Sequence, residues 1–262
     1  MKISVLTPSY NSAKFLEKSI ESVISQSYED WEHIIVDGNS TDNTVEILKR
    51  YTHLKWVSEP DSGQSEAMNK AFNMCTGDLV IYLNADDYFM KDAFKIFIEN
   101  FKKKPTMDMV VGNLYLEKNN ELIPNTKATI LWEDLSILKG RFPLNPVSYM
   151  YKRKVQESIG DFPVNEHYTM DYWFLIRAFY LFKVLKINDF LGSFVFVENN
   201  KSSTITGEYQ IQKPLAINFC LKYTPHRFFY VYYKLLVHKK NPNVFIGKVK
   251  RNYGKLKRKF II

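Results

Sequence analysis

The stretch Val80-Ile-Tyr-Leu-Asn-Ala-Asp-Asp87 restricts the fold of this chain more than any other. An apolar strand that stops at two adjacent carboxylates places negative charge at the carboxyl edge of a sheet, where α/β proteins bind their ligands. Neighbouring Asp side chains repel each other unless a cation or a hydrogen-bonding ligand compensates them. A hard divalent cation held by one or two carboxylates plus phosphate oxygens meets that need. The pair therefore points to a metal-bridged phosphate ligand. The alternative is a strand-end turn in which Asp86 or Asp87 caps the helix that starts near Asp92.

The surrounding pattern supports the sheet-edge reading. Ile3 to Leu6 reads as a short buried strand, followed by an amphipathic stretch with Phe15, Leu16, Ser19, Ile20, Val23 and Ile24 at helical spacing. His33 to Asp37 is a second apolar strand, and the capping residues Ser40 to Thr44 precede a second helix. Lys55 to Ser58, Gln64 to Cys75 and Leu79 to Leu83 continue the alternation as strand, helix and strand. Such alternation predicts a mainly parallel sheet flanked by helices. Beyond Asp87 the expectation is a mixed sheet: a helix around Ala93 to Phe101, a strand around Met109 to Tyr115, a hairpin turn at Lys118 to Glu121, a helix from Tyr172 to Phe182 preceded by Asp171, and two closing strands at Val184 to Ile187 and Phe194 to Val197.

At 262 residues and 45% hydrophobic content, the chain can hold one large α/β domain and an appendage. The amino terminus does not read as a signal peptide, so a cytoplasmic location is expected. Cys75 and Cys220 lack the spacing of a disulfide framework or a zinc site and read as buried small hydrophobes. The net charge of +8 is unevenly spread: residues 206–262 carry 13 Lys or Arg against Glu208 alone, while the first 205 residues sum to −4. The boundaries expected are a catalytic domain over 1–205 and a basic, aromatic-rich segment over 206–262.

Three acidic points fall where a parallel sheet brings them to one edge: Asp37 after the second strand, Asp86 with Asp87 after the fourth, and Asp171 at a helix start. The first can accept hydrogen bonds from a nucleobase imide or a ribose hydroxyl, the pair can serve ribose and metal, and the third can act as a general base.

Thr7-Pro-Ser-Tyr-Asn11, Val36-Asp-Gly-Asn-Ser-Thr-Asp-Asn-Thr44, Ser58-Glu-Pro-Asp-Ser-Gly-Gln-Ser65, Leu83-Asn-Ala-Asp-Asp87 and Met170-Asp-Tyr-Trp173 occur in this order. Together they resemble the successive signatures of the family 2 glycosyltransferases with a GT-A fold, in particular bacterial enzymes of capsule, exopolysaccharide and O-antigen assembly. The resemblance covers about residues 1 to 205. It implies a GT-A-like, Rossmann-like α/β fold and an inverting transfer of sugar from a nucleoside diphosphate donor, most often a UDP-sugar, to an acceptor hydroxyl. The acceptor would be a saccharide or an undecaprenyl-diphosphate-linked one, and the cofactor a divalent cation, Mn²⁺ or Mg²⁺.

Carried onto this sequence, the family pattern packs Pro8, Ser9 and Tyr10 around the base and hydrogen-bonds Asp37 to the uracil. Asn39, Gly63, Gln64 and Asn84 complete the expected nucleotide-sugar set. Asp86 lies nearer the ribose and also belongs with the metal, Asp87 is the residue expected to coordinate it directly, and Asp171 takes the place of the catalytic base. Three departures stand out. Asn84 replaces the Asp of many relatives, the run Glu66-Ala-Met-Asn69 lacks their Arg, and Val195 to Lys201 lacks their late His. These leave Lys70, Glu198, Asn199 and Lys201 as substitutes near the diphosphate. They also keep open a non-catalytic nucleotide-sugar-binding or membrane-scaffold protein, and a polyprenyl-phosphate glycosyltransferase is a further alternative.

The structural alternatives are helix capping for Asp37, Asp42 and Asp171. The tail, with Lys and Arg interleaved among aromatic and aliphatic residues, reads as a helical segment lying on an anionic membrane surface, at the inner face of the cell membrane. Its alternative is a solvated basic helix packed on the domain. Nucleic acid is not expected as a partner.

Overall fold

The computed structural model describes residues 1–136, 143, 145–165 and 169–196, together with positions 215, 216, 219 and 222. Nearly all of the basic tail, Cys220, His167 and the Glu198 to Lys201 stretch lie outside the described residues.

The first half is a β-α alternation: β1 (Ile3–Ser9), α1 (Leu16–Ile24), β2 (Trp31–Asp37), α2 (Thr44–Lys49), β3 (Lys55–Ser58), α3 (Gln64–Met74) and β4 (Leu79–Tyr82). The strands form because their residues can be buried on both faces. Every residue of β1 and β4 is buried, as parallel strands covered by helices on both sides require. In α1 the buried residues Leu16, Ser19, Ile20 and Val23 fall three and four apart, so one face packs and the other is solvated.

The second half adds β5 (Tyr88–Phe89), α4 (Ala93–Lys103), β6 (Met109–Lys118), β7 (Glu121–Asn125), α5 (Trp132–Ser136), a 3-10 turn (Pro146–Ser148), β8 (Tyr149–Lys152), α6 (Arg153–Ile159), α7 (Met170–Leu181) and β9 (Val184–Val195). The hairpin between β6 and β7 turns at Asn119 and Asn120, both in the left-handed region that Asn tolerates. Among the described residues, all nine strands join one sheet in the order β3-β2-β1-β4-β8-β6-β9-β5, with β7 paired to β6. The β3-β2-β1-β4 half is wholly parallel. Beyond it β8 runs antiparallel to both β4 and β6, which gives the mixed half expected.

Two apolar layers cover the sheet. On one side Leu6, Val36, Val80 and Tyr82 meet Ala67, Met68 and Ala71 of α3 and Phe174, Leu175 and Ala178 of α7. On the other Ile3, Val5, Ile81 and Val110 meet Phe94, Phe97, Ile98 and Phe101 of α4.

One correction concerns the end of the chain's described part. The two closing strands are a single twelve-residue strand, β9, in which the register slips between Val111, Asn113 and Leu114 of its partner β6. That irregularity absorbs the polar Asn188 and Asp189, which read in the sequence as a break.

His33, fully buried on β2, gives the fold a pH dependence. Its Nε2 lies 2.9 Å from Thr7 Oγ1, while Nδ1 has no partner among the described residues. Burial, with a smaller contribution from His53, pulls its pKa down from 6.5 to about 3. The unfolded chain therefore binds a proton below pH 6.5 that the folded chain refuses, so stability is full above that pH and falls as pH drops toward the folded value. We expect a loss of about 2 kcal/mol between pH 6.5 and 5. Urea denaturation at the two pH values checks it; a His33→Asn variant that loses just as much would rule His33 out as the source.

Candidate functional site

The parallel half has the order 3-2-1-4, so the chain reverses direction across the sheet between β1 and β4, and ligands bind in the crevice outside the carboxyl ends of strands at such a point. Register places Ser9 beside Asp37 and Asp37 beside Ser58, so three strands end together. Pro8 and Ser9 are buried, Tyr10 is 63% exposed, and Asn39 is exposed in a left-handed conformation just after Asp37. Ser9 Oγ is buried without a hydrogen-bond partner among the described residues. An orphaned hydroxyl at a sheet edge is an available contact for a ligand.

Asp37 is completely buried. Its Oδ2 accepts from Ser40 N at 2.9 Å and Ser58 Oγ at 2.7 Å, and its Oδ1 accepts from Ser40 Oγ. A carboxylate offers about four acceptor positions, so one remains. Asp61, which sequence reasoning passed over, stands against the same turn: a Cβ on Gly38 would come within 2.9 Å of Asp61 Oδ2. Burial, with smaller contributions from Glu66 and then Asp37, pushes Asp61 upward in pKa, against the opposing hydrogen bond from Gly63 N at 2.9 Å and the charge of Lys70. Its one sequence signal was membership of the Ser58 to Ser65 stretch.

Within that stretch Gly63 stands at φ 127°, a region open to glycine alone, and directs the chain into α3 so that Gln64 starts the helix at the sheet edge. Gln64 Nε2 donates to Asn84 Oδ1 at 3.1 Å, and Asn84 Nδ2 donates to Asp87 Oδ2 at 3.0 Å. Asp87 is 1% exposed and is the centre of this network. Asn145 Nδ2 also donates to its Oδ2, at 2.6 Å, and Val195 N donates to Oδ1 at 2.9 Å. Asp87 is therefore no helix cap; Asp92 precedes α4, without a side-chain capping bond.

Asn145 was not foreseen, because an Asn before Pro reads as a turn residue. Its own Oδ1 accepts from Val147 N at 2.9 Å, which fixes the amide toward Asp87. Gly192 lets β9 pass against this turn, since a Cβ there would meet Val147 Cγ2 at 2.2 Å.

Burial and the charge of Asp86 push Asp87 well above the usual carboxylate range, while Val195, Asn145 and Asn84 oppose the shift. A partly exposed carboxylate beside a buried one of raised pKa is the electrostatic situation that a bound cation relieves. Among the described residues no third His, Cys, Asp or Glu joins them, so two carboxylates fit a hard cation whose other ligands are phosphate oxygens and water.

Asp171 lies in the first turn of α7, one residue after Met170, and the helix is preceded by Thr169 as its cap position; the capping role considered for Asp171 is corrected accordingly. Ser65 Oγ contacts Met170 Sδ at 3.4 Å in the buried layer, so the amino ends of α3 and α7 meet. That contact sets the first turn of α7, which carries Asp171, beside the start of α3. Asp42 has a structural role, accepting from Ala13 N at 3.1 Å and Thr44 N at 3.0 Å. Lys70 is committed to Glu59 at 2.8 Å and Glu66 at 2.9 Å.

The family model described as Glycosyl transferase family 2 matches residues 4–170. The chain is 40% identical over 103 residues to the putative teichuronic acid biosynthesis glycosyltransferase TuaG of Bacillus subtilis, covering 37% of this chain and 40% of that protein. It spans about half or less of the length of the curated relatives it matches. Among solved structures, S. aureus TarS 1-349 in complex with UDP-GlcNAc superposes with a TM-score of 0.70 at 20% identity, covering 97% of this chain and 78% of that one. The mannosyltransferase PcManGT from Pyrobaculum calidifontis, in complex with GDP-Man and Mn²⁺, gives 0.59 at 17% identity, covering 97% and 80%. These two likenesses show a common fold, the GT-A-like one expected.

Proposed function

Because the chain belongs to glycosyl transferase family 2, we propose that it transfers a sugar, with inversion, from a nucleoside diphosphate donor to a saccharide or lipid-linked acceptor hydroxyl in bacterial surface polysaccharide synthesis. The observation that carries this reading is the hydrogen-bonded line Gln64–Asn84–Asp87–Asn145 at the carboxyl edge of the parallel strands, with Ser9 and Asp37 on one side and the start of α7 on the other. UDP is the favoured nucleotide: TarS binds UDP-GlcNAc on the same fold, and Asp37 keeps an acceptor position for a base N–H.

In this reading Tyr10 covers the base, Ser9 and Asp37 hold it, Asn39 and Asp86 face the ribose, and Gly63, Gln64 and Asn84 line the path to the diphosphate. Asp87 and Asp86 would hold a divalent cation, which would supply charge stabilisation to the departing nucleotide. The binding of Mn²⁺ by PcManGT supports this cofactor. Asp171 removes the proton of the acceptor hydroxyl as it attacks the anomeric carbon from the face opposite the leaving diphosphate. A single displacement of that kind inverts the centre.

We further propose that residues 1–205 form the catalytic unit and that 206–262, at 13 basic residues to one acidic, hold it at an anionic membrane. No helix among the described residues is long and apolar enough to cross a membrane. The transfer reading is tested by following nucleotide release from UDP-, GDP- and dTDP-sugars with lipid-linked acceptors and Mn²⁺. Release from a UDP-sugar that depends on acceptor supports it, and binding without turnover of any donor would favour the scaffold alternative.

A further inference from the structure

Asn145 stands just before the 3-10 turn and is 2% exposed. Both ends of its amide are engaged: Oδ1 accepts from Val147 N at 2.9 Å, and Nδ2 donates to Asp87 Oδ2 at 2.6 Å. Turning the amide over would set oxygen against a carboxylate oxygen and N–H against N–H, so its orientation is determined. The backbone beneath it is pinned as well. Its carbonyl accepts from Ser148 N at 3.2 Å and Ser148 Oγ at 2.8 Å, and the fully buried Val147 packs against Gly192 of β9.

Asp87 therefore receives an uneven set of donors. Oδ2 takes two amide N–H groups, from Asn145 and from Asn84 at 3.0 Å, whereas Oδ1 takes one, from Val195 N at 2.9 Å. Among the described residues these are the hydrogen bonds to that carboxylate, which offers about four acceptor positions. The remaining position is on Oδ1.

We propose that Asn145 is a positioning residue for the cation site: with Asn84 it occupies Oδ2 of Asp87, so that the carboxylate meets a divalent cation through Oδ1 alone. The proposal rests on the reading of Asp87 as a cation ligand. Asn145 is the stronger member of the amide pair, because its bond is the shorter one and its amide is held at both ends, whereas Asn84 is only partly buried. A hydrogen-bonded partner of this kind orients a metal ligand, and its loss costs about 10- to 100-fold in metal affinity. Coordination through one oxygen suits a small octahedral cation such as Mg²⁺ or Mn²⁺. Ca²⁺ takes more oxygens and often both of one carboxylate, so an occupied Oδ2 disfavours it.

The test is titration of the full chain with Mn²⁺ and with Ca²⁺ in the presence of saturating UDP, Mn²⁺ read by EPR of the free ion and Ca²⁺ by calorimetry. The wild type should bind Mn²⁺ more tightly than Ca²⁺. Asn145→Ala releases Oδ2 from its shorter bond, so Mn²⁺ affinity should fall about tenfold with Ca²⁺ affinity little changed. Asn145→Asp keeps the acceptor for Val147 N, and with it the turn, but puts a carboxylate oxygen where the N–H donor stood. The Mn²⁺ preference should narrow there too, which decides the matter should Asn145→Ala not fold. Ser148→Ala loosens the same turn without touching Asp87 and should keep the wild-type preference, whereas a merely structural role for the turn would make it resemble Asn145→Ala. A wild type without preference, an unchanged preference in a folded Asn145 variant, or an equal narrowing in Ser148→Ala overturns the proposal. Mn²⁺ binding by Asp87→Ala as tight as in the wild type, or none by the wild type, would instead overturn the reading of Asp87 as a cation ligand, a separate failure.

Discussion

Replacing Asp171 by Asn is expected to lower sugar transfer by about 10²–10⁴-fold, the usual contribution of a positioned general base, while leaving donor affinity close to the wild-type value. The amide keeps the shape of the carboxylate and the contacts of the α7 turn, yet it cannot take a proton. Binding should survive, because the line from Gln64 through Asn84 to Asp87 and Asn145 does not pass through Asp171. Nucleotide release and nucleotide titration on the same preparation separate the two effects. Undiminished transfer would remove Asp171 from the mechanism.

Asp87→Ala is expected to act on both stability and binding. The carboxylate satisfies Val195 N, Asn84 Nδ2 and Asn145 Nδ2, and its loss leaves three donors without their acceptor in a site only 1% exposed at Asp87. Unsatisfied buried donors cost about 1–3 kcal/mol each, and relief of the repulsion with Asp86 offsets part of that, so a net destabilisation of about 2–4 kcal/mol is expected. Metal-dependent nucleotide binding should weaken at least tenfold, equivalent to about 1.4 kcal/mol. Urea denaturation reads the first effect and titration with UDP and Mn²⁺ the second. Unchanged UDP affinity in the folded variant would contradict the metal role of Asp87.

The parallel half of the fold was legible because its strands are short apolar runs, each ending at a polar or acidic residue where a ligand edge forms. Lys55–Ser58 was read at its observed bounds, and Leu79–Tyr82 to within one residue. The second half was less legible. β5 is two residues long and β8 lies between distant partners, so neither carries a local period, and β9 hides its continuity behind Asn188 and Asp189.

The site divides in the same way. Asp37, Asn84, Asp86, Asp87 and Gln64 follow directly from strands or begin helices, and their chain positions predict where they meet. Asn145 reaches Asp87 from far along the chain, through a turn whose residues look like ordinary loop. Only the pairing of β8 with β4 and β6, just beyond that turn, reveals it.

Calorimetric titration of the protein with UDP, GDP and dTDP, each with Mn²⁺ and again with chelator, tests the central claim most directly. A nucleotide-diphosphate site built on Asp37 and the Asp86–Asp87 pair predicts UDP binding that needs the metal and exceeds that of GDP. No nucleotide binding by the folded protein under any of these conditions would contradict it.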